Sequence, residues 1–246
     1  MTKRIFSPYE QNLLRRWAPE IDPISIGEKP VEYVAGHIEF AGLDFLVTKD
    51  TLIPRLESEQ MINDALRFID DNNLAHPVIA DIGTGTGCLG ISLAVRLSKR
   101  QTPYTIFLGD ISPKALKVAD LNTQKLLHSP ENIFFIESNL LESFPKIKFD
   151  LILANLPYIP SKNIKKLDSS VKDFEPKIAL DGGSKGNLYI NALLSKLPQF
   201  LTKGGLAIFE IDDTHTLNSF TIPKGLSAII KIDCFAKPRF LECSNL

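Results

Sequence analysis

Two stretches carry residue types that could hold a ligand together. DIGTGTG runs from Asp81 to Gly87, and a lone acid, Asp110, ends the next apolar run TIFLGD. Glycines at 83, 85 and 87 permit a tight turn and let a ligand lie against bare backbone, whose amides and following helix N-terminus favour an anionic group. By itself this signal is weak, because many dinucleotide sites share it and a plain glycine-rich strand-to-helix turn looks the same. Asp110 lies 29 residues after Asp81, where an acid in a doubly wound sheet accepts hydrogen bonds from a ribose diol. Its bland alternative is an acid favoured at a helix start, beside Ser112-Pro113. The pair leaves NAD, FAD and S-adenosylmethionine in play. The acid inside the strand end, and the polar run Glu137-Ser138-Asn139 that could meet an adenine edge, favour the last.

A third stretch, NLPY at Asn155 to Tyr158, closes the apolar run FDLILA. An amide or planar amine nitrogen has a delocalised lone pair and attacks a methyl sulfonium poorly. Accepting both of its N–H bonds, through Asn155 Oδ1 and the Leu156 backbone carbonyl, would orient it and push electron density toward it. Pro157 would stiffen the turn that aims the carbonyl, and Tyr158 would stack on or wall a planar group. The alternative is a proline-containing strand exit with no chemistry.

The elements that must position these groups are legible from periodicity. A polar, proline-broken segment at 1–30 reads as an appendage with one short helix from Tyr9 to Trp17. From Val31 to Lys49, alternation around Gly36 and Gly42 predicts a β-hairpin, and spacings of three and four from Glu57 to Asp70 predict a linking helix, completing a unit over 31–76. Over 77–246, strands are expected at 78–82, 105–109, 132–136, 149–154, 205–211, 227–233 and 238–243, with helices near 88–99, 113–127 and 187–200. That alternation implies an α/β fold with a mostly parallel, seven-stranded Rossmann-like sheet. The last two strands are too closely joined for a helical crossover, so they pair antiparallel at the sheet edge.

Composition narrows the function classes. The chain has 246 residues, enough for a full core, and 28 Lys+Arg against 29 Asp+Glu give a formal charge of −1, so no overall basic field draws it to nucleic acid or anionic membrane. Cys88, Cys234 and Cys243 form no CxxC pair or ligand-spaced cluster, so no metal and no disulfide framework is expected. MTKRIFSPYEQ lacks an apolar signal core and no apolar run nears the ~20 residues of a membrane helix, so a cytoplasmic protein with no membrane partner is expected.

DIGTGTGCLGISLA, GDISPKAL, FDLILANLPYI, FEPKIALDGG and GGLAIFEI, in that order and preceded by TLIPRLESE, resemble the release-factor glutamine methyltransferases of the HemK type, from about Val31 to Cys243. The resemblance implies a class I methyltransferase fold and methyl transfer from S-adenosylmethionine to the glutamine amide in the GGQ loop of class I peptide chain release factors. It places Asp81, Gly83, Thr84, Gly85, Thr86, Gly87, Asp110, Ile111, Asn139 and Asn155 around the cofactor, and Asn155, Leu156, Pro157 and Tyr158 around the glutamine. Arg55, in Leu-Ile-Pro-Arg, falls in a family segment near the active site and is expected to orient substrate or structure. Four departures stand out. Leu156 replaces a proline, Asn139 an aspartate, and Glu210-Ile211-Asp212 the usual Glu-Ile-Gly; the family's helical N-terminal domain is represented by about thirty residues.

Two other functions compete. A nucleic-acid amino-methyltransferase would use the same motif on the exocyclic amine of a flipped base, and leucine at the second position recurs among ribosomal-RNA adenine dimethylating enzymes. The balanced charge and the flanking stretches favour a protein substrate. Lys162, Lys165, Lys166, Lys172 and Lys177, diluted by Asp168, Asp173 and Glu175, read as a solvated loop or a local contact to a nucleic-acid surface. The second competitor is a catalytically weak cofactor-binding partner protein, motivated by Asn139 and the brief N-terminal region. A monomer is expected.

Overall fold

The computed structural model describes residues 4–127 and 130–246; residues 1–3 of the expected appendage lie outside them. Helix α1 (Pro8–Trp17) begins with a capping box: the Ser7 hydroxyl accepts from the Glu10 amide at 3.2 Å and the Glu10 carboxylate accepts from the Ser7 amide at 2.7 Å. Val31–Ala35 forms a short helix, α2, not the first strand of a hairpin, because Gly36 at φ 73° closes it as a left-handed C-cap. The hairpin is β1 (His37–Phe40) and β2 (Leu43–Leu46). Its two-residue loop, Ala41-Gly42, has φ of 53° and 73°, and positive φ at both central residues matches the right-handed twist of the strands.

Helix α3 (Glu59–Asp71) leads to β3 (Val78–Ile82), α4 (Cys88–Lys99), β4 (Thr105–Asp110), α5 (Pro113–Leu126), β5 (Ile133–Glu137) and β6 (Phe149–Ala154). A one-turn α6 (Ser169–Lys172) precedes α7 (Leu188–Leu194) and α8 (Leu197–Phe200), then β7 (Leu201–Glu210), β8 (Leu226–Ile232) and β9 (Pro238–Asn245). The expected helix over 187–200 is thus two pieces, with Pro198 in the first turn of the second. The sheet order is β5-β4-β3-β6-β7-β9-β8. Among the described residues β9 runs against the other strands of this sheet, entering between β7 and the edge strand β8 and pairing antiparallel with both.

Alternate residues of the central strands bury on opposite faces, as the period of two requires. Ile79, Leu153 and Ile208 pack with Met61 and Ala65 of α3, Leu93 and Leu97 of α4, and the hairpin's Phe40 and Phe45. Ile82, Ile152 and Phe209 pack with Ile190, Leu193 and Leu197 of α7 and α8. Each such burial is worth about 1.5–3 kcal/mol. The register then sets the functional edge. Ile82 stands opposite both Gly109 and Ala154, Ala154 stands opposite Phe209, and Asp110 stands opposite Glu137. The next residue on each of these strands is therefore level with the others, which lines up Gly83, Asp110, Asn155 and Glu210 along the carboxyl ends. The chain moves outward from β3 to β5 and returns to β6, and the crevice opens at that switch point. No helix among the described residues is long and apolar enough to cross a membrane.

Candidate active site

The glycine loop is shaped from below by Asp81, which is only 1% exposed. Its Oδ2 accepts from Thr84 Oγ1 at 2.7 Å and from the Gly90 amide at 3.0 Å, while Oδ1 has no partner among the described residues. Burial pushes the Asp81 carboxyl up to about 6, against the pull of those two donors. Above the carboxylate, the amides of Gly83 and Thr84 both donate to the Gly109 carbonyl, at 2.8 and 2.9 Å. Gly83, at φ 73°, holds a left-handed backbone that favours glycine, and a Cβ there would also crowd Leu156 Cδ2 at 3.0 Å. Gly85, at φ 56°, has nothing within 4 Å of where a Cβ would lie, so its face is open to the crevice. The far end of the loop is moored by Asn122 of α5, whose Nδ2 donates at 2.9 Å to both the Thr86 and the Leu46 carbonyls. This fully buried amide ties the hairpin to the loop.

Asp110 reaches the same loop. Its Oδ2 accepts from the Gly85 amide and its Oδ1 from the Ser112 amide, both at 2.9 Å. A carboxylate has about four acceptor positions, so each oxygen retains capacity toward the crevice. Burial raises the Asp110 carboxyl and the backbone donors lower it. The crevice encloses about 1070 Å³ including its mouth. Ile111, Leu140 and Ala115 provide apolar wall on the Asp110 side. Asn139 lines it too, with Nδ2 donating to Glu142 at 3.1 Å. Cys88 also faces in, and burial pushes its thiol up to about 12, so it stays protonated. Thr86, 2% exposed, is also in the lining, and its buried Oγ1 has no hydrogen-bond partner among the described residues.

NLPY forms the opposite wall. Asn155 Nδ2 donates to Glu210 Oε2 at 3.0 Å and to Ser58 Oγ at 3.2 Å. With both hydrogens committed, Oδ1 is the acceptor left to face the crevice. Leu156 buries its side chain against Gly83, and no donor among the described residues bonds its carbonyl. Tyr158 donates its hydroxyl to Glu210 Oε1 at 2.8 Å. Burial, and then the Glu210 charge, raise that phenol well above its ordinary value.

A second clasp holds the Leu52–Arg55 stretch over the site. Glu175, whose side chain is 1% exposed, accepts from Arg55 Nη2 at 2.5 Å and from the Ile53 amide at 3.2 Å. It joins two segments more than a hundred residues apart, and brings Leu52 and Pro54 to one lip of the crevice with Pro176 and Ile178 on the other. Beside the crevice lies an adjoining cavity of about 660 Å³, lined by Arg55 and Tyr158 and sharing Leu52, Asn155 and Ala179 with it.

Of the sequence-derived candidates, Gly83, Thr84, Gly85, Thr86, Asp110, Ile111, Asn139, Asn155, Leu156 and Pro157 line one crevice. Asp81 and Gly87 lie outside its lining, the latter at the N-terminus of α4. Tyr158 and Arg55 face the adjoining cavity. Asp212 accepts from the Thr214 amide and hydroxyl, capping its own turn away from the crevice lining. Sequence reasoning missed Ser58, Glu175 and Glu210 as parts of the site. Glu210 had a usable signal, because an acid ending the strand beside the Asn155 strand must meet it in register. An isolated serine at 58 has none.

A family model, "Methyltransferase small domain", matches residues 65–172. Release factor glutamine methyltransferase from Clostridium acetobutylicum is 33% identical over 93% of this chain and 79% of its own length. Its counterpart from Geobacter sulfurreducens is 36% identical over 74% of this chain, and the match spans only 61% of that relative's length. Among solved structures, a methyltransferase from Pyrococcus furiosus superposes with a TM-score of 0.54 at 15% identity, over 82% of this chain and 88% of that one, a likeness of fold alone. With a glycine loop, a strand-end acid and an NLPY wall around one crevice, and with relatives this similar over most of its length, the chain belongs to the release factor glutamine methyltransferase family.

Proposed function

We propose that this protein transfers a methyl group from S-adenosylmethionine to the side-chain amide nitrogen of the glutamine in the GGQ loop of a class I peptide chain release factor. The observation that carries the reading is the Asn155 amide, pinned through Nδ2 so that Oδ1 is left as an acceptor at the crevice, next in the chain to Leu156, whose carbonyl no donor among the described residues bonds. Two acceptors suit a group with two N–H bonds.

The residues present fit the cofactor by their own chemistry. Gly85 leaves bare backbone, Thr86 Oγ1 is a buried hydroxyl in need of a partner, and Asp110 keeps acceptor capacity for a diol. Asn139, its NH₂ turned to Glu142, has Oδ1 available for an adenine amine, and Ile111 and Leu140 offer apolar faces for the ring. When bound, the cofactor supplies an electrophilic methyl on sulfur.

The chain's part is alignment. Asn155 and Leu156 hold the glutamine nitrogen by its hydrogens, Pro157 fixes the turn, and the two lips exclude water. The nitrogen, once methylated, is acidic and loses its proton to a carbonyl or, as the product leaves, to water, so no side-chain base is required. Arg55 and Tyr158, in the adjoining cavity, are assigned to the glutamine's approach. In this reading 77–246 is the methyltransferase unit, 31–76 supplies the hairpin and clasp, and 1–30 is an appendage; the protein acts in the cytoplasm as a monomer. Incubation with methyl-labelled cofactor and either a release factor or bulk RNA tests it. Label on the GGQ glutamine is expected; label on RNA alone overturns the substrate assignment, and label on neither overturns the activity.

A further inference from the structure

We infer that Glu210 and Ser58 form a lock that fixes which end of the Asn155 amide meets the substrate, and that this lock makes the site select a glutamine amide over the isosteric glutamate carboxylate. The inference rests on the reading above and concerns what decides specificity within it.

An asparagine amide can be turned end for end with little change in shape, so shape alone does not decide whether oxygen or NH₂ faces a crevice. Here the surroundings decide. Glu210 is 1% exposed, and its Oε2 accepts from Asn155 Nδ2 at 3.0 Å. The Ser58 hydroxyl gives its hydrogen to the same Oε2, which leaves only lone pairs on Ser58 Oγ to meet Nδ2 at 3.2 Å. Turned over, Asn155 would set its carbonyl oxygen against a carboxylate oxygen and a hydroxyl whose proton is already spent. Two acceptor-only neighbours thus exclude that state. Tyr158 holds the other carboxylate oxygen, Oε1, at 2.8 Å, which keeps Glu210 from rotating away.

Glu210 is an expensive way to build a wall. All its bonded partners among the described residues are neutral donors; the nearby Arg239 guanidinium acts on it only through space and bonds Asp233 through Nε at 3.0 Å. A buried carboxylate without a bonded cation costs stability, and an apolar residue would fill the space more cheaply. What the carboxylate adds is direction. A glutamate in place of the target glutamine would present acceptors to Asn155 Oδ1 and to the Leu156 carbonyl, and with Asn155 locked neither can turn to donate. Sites that leave buried polar groups unpaired with the wrong ligand discriminate strongly against it. Glu210 is accordingly a positioning residue, acting through Asn155.

The test compares wild type with Glu210→Leu, Glu210→Gln and Ser58→Ala, using full-length release factor carrying either GGQ or GGE, and titrating S-adenosylmethionine separately. Glu210→Leu is expected to lower kcat about 10²-fold, to leave cofactor affinity within about twofold, and to shrink the GGQ-over-GGE binding ratio about tenfold, because the freed amide can offer NH₂ to a carboxylate. Glu210→Gln is expected to recover kcat to within about fivefold of wild type, its carbonyl accepting from Asn155 and Ser58 while its NH₂ meets the Tyr158 oxygen. If Glu210→Leu does not fold, Ser58→Ala carries the test, with a loss of about tenfold in kcat and a smaller fall in the binding ratio. An undiminished binding ratio in the folded Leu variant, or in Ser58→Ala where Leu fails, overturns the lock while wild-type activity stands. A wild type that methylates no release factor overturns the proposed function and, with it, the lock as a glutamine selector.

Discussion

The two walls of the crevice are built differently. On the glycine-loop wall, the bonds nearest the crevice run between segments that neighbouring strands bring together, and most involve backbone: Gly83 and Thr84 to the Gly109 carbonyl, Gly85 and Ser112 to Asp110. On the NLPY wall, side chains from two distant places, Ser58 and Asn155 with Tyr158, converge on the buried carboxylate of a third, Glu210. The first design tolerates variation in side chains but depends on glycine. The second depends on particular side chains and on tertiary packing to bring them together. A wall of backbone suits a constant ligand, and a wall of locked side chains suits a group that must be told from its isostere.

Substitutions on the two walls should therefore separate binding from turnover. The largest effect is expected from Asn155→Ala on the NLPY wall: kcat falls about 10²–10³-fold while S-adenosylmethionine affinity, read by calorimetry, changes little. Comparable losses in both quantities would erase the distinction between the walls. Next comes Asp110→Ala on the loop wall, for which cofactor affinity weakens about 10–100-fold, since a charged acceptor is removed and the Gly85 and Ser112 amides lose their partner. Unchanged affinity would remove Asp110 from the ribose.

Smaller effects are expected from the groups that support each wall. Arg55→Ala leaves Glu175 buried and uncompensated, and should cost roughly 2 kcal/mol of stability, a discounted figure because the Arg55 side chain is partly exposed. Its kinetic signature is a raised KM for the release factor with kcat less affected; a rise in the cofactor's dissociation constant instead would move the clasp to the other wall. The least effect, and the one of opposite sign, concerns Asp81. Its folded-state carboxyl lies above the ordinary 3.8, at about 6, so its contribution to stability is fully present below pH 3.8 and is lost as pH rises through about 6. Asp81→Asn cannot ionise. It should be more stable than the parent at pH about 8, by about 1 kcal/mol (about 3 from the relieved ionisation less about 2 for a buried NH₂ where Oδ1 now has no partner among the described residues), and this advantage should shrink on acidification and reverse by pH about 4. An advantage that widens on acidification would contradict the assigned shift.

The contrast between walls also explains what could be foreseen. DIGTGTG and Asp110 announce themselves because glycine spacing and strand ends are local properties, and their partners are one strand away. NLPY could be read as an acceptor pair for the same reason. The lock was not. Ser58 sits in an unremarkable LESE, and Glu175 lies in a segment whose run of lysines draws attention to charge rather than to the one buried acid. Val31–Ala35 misled in a smaller way: its apolar-polar alternation fits a strand as well as a helix over five residues, and Gly36 decides it. Pro198 likewise divides a helix that periodicity alone runs together.

The chain by itself determined the α/β alternation and the strand ends that line the crevice, and it carries the proposal of an amide nitrogen as target, because all of these follow from short-range periodicity and from what glycine, proline and amide groups can do. Only the tertiary structure decided how Asn155 is turned. That outcome depends on β7 lying beside β6 with Phe209 opposite Ala154, and on Ser58 arriving from before α3, so that a buried carboxylate and a spent hydroxyl leave the amide one orientation. Such a choice is a balance of lone pairs and protons across three segments, and it has no counterpart in local sequence.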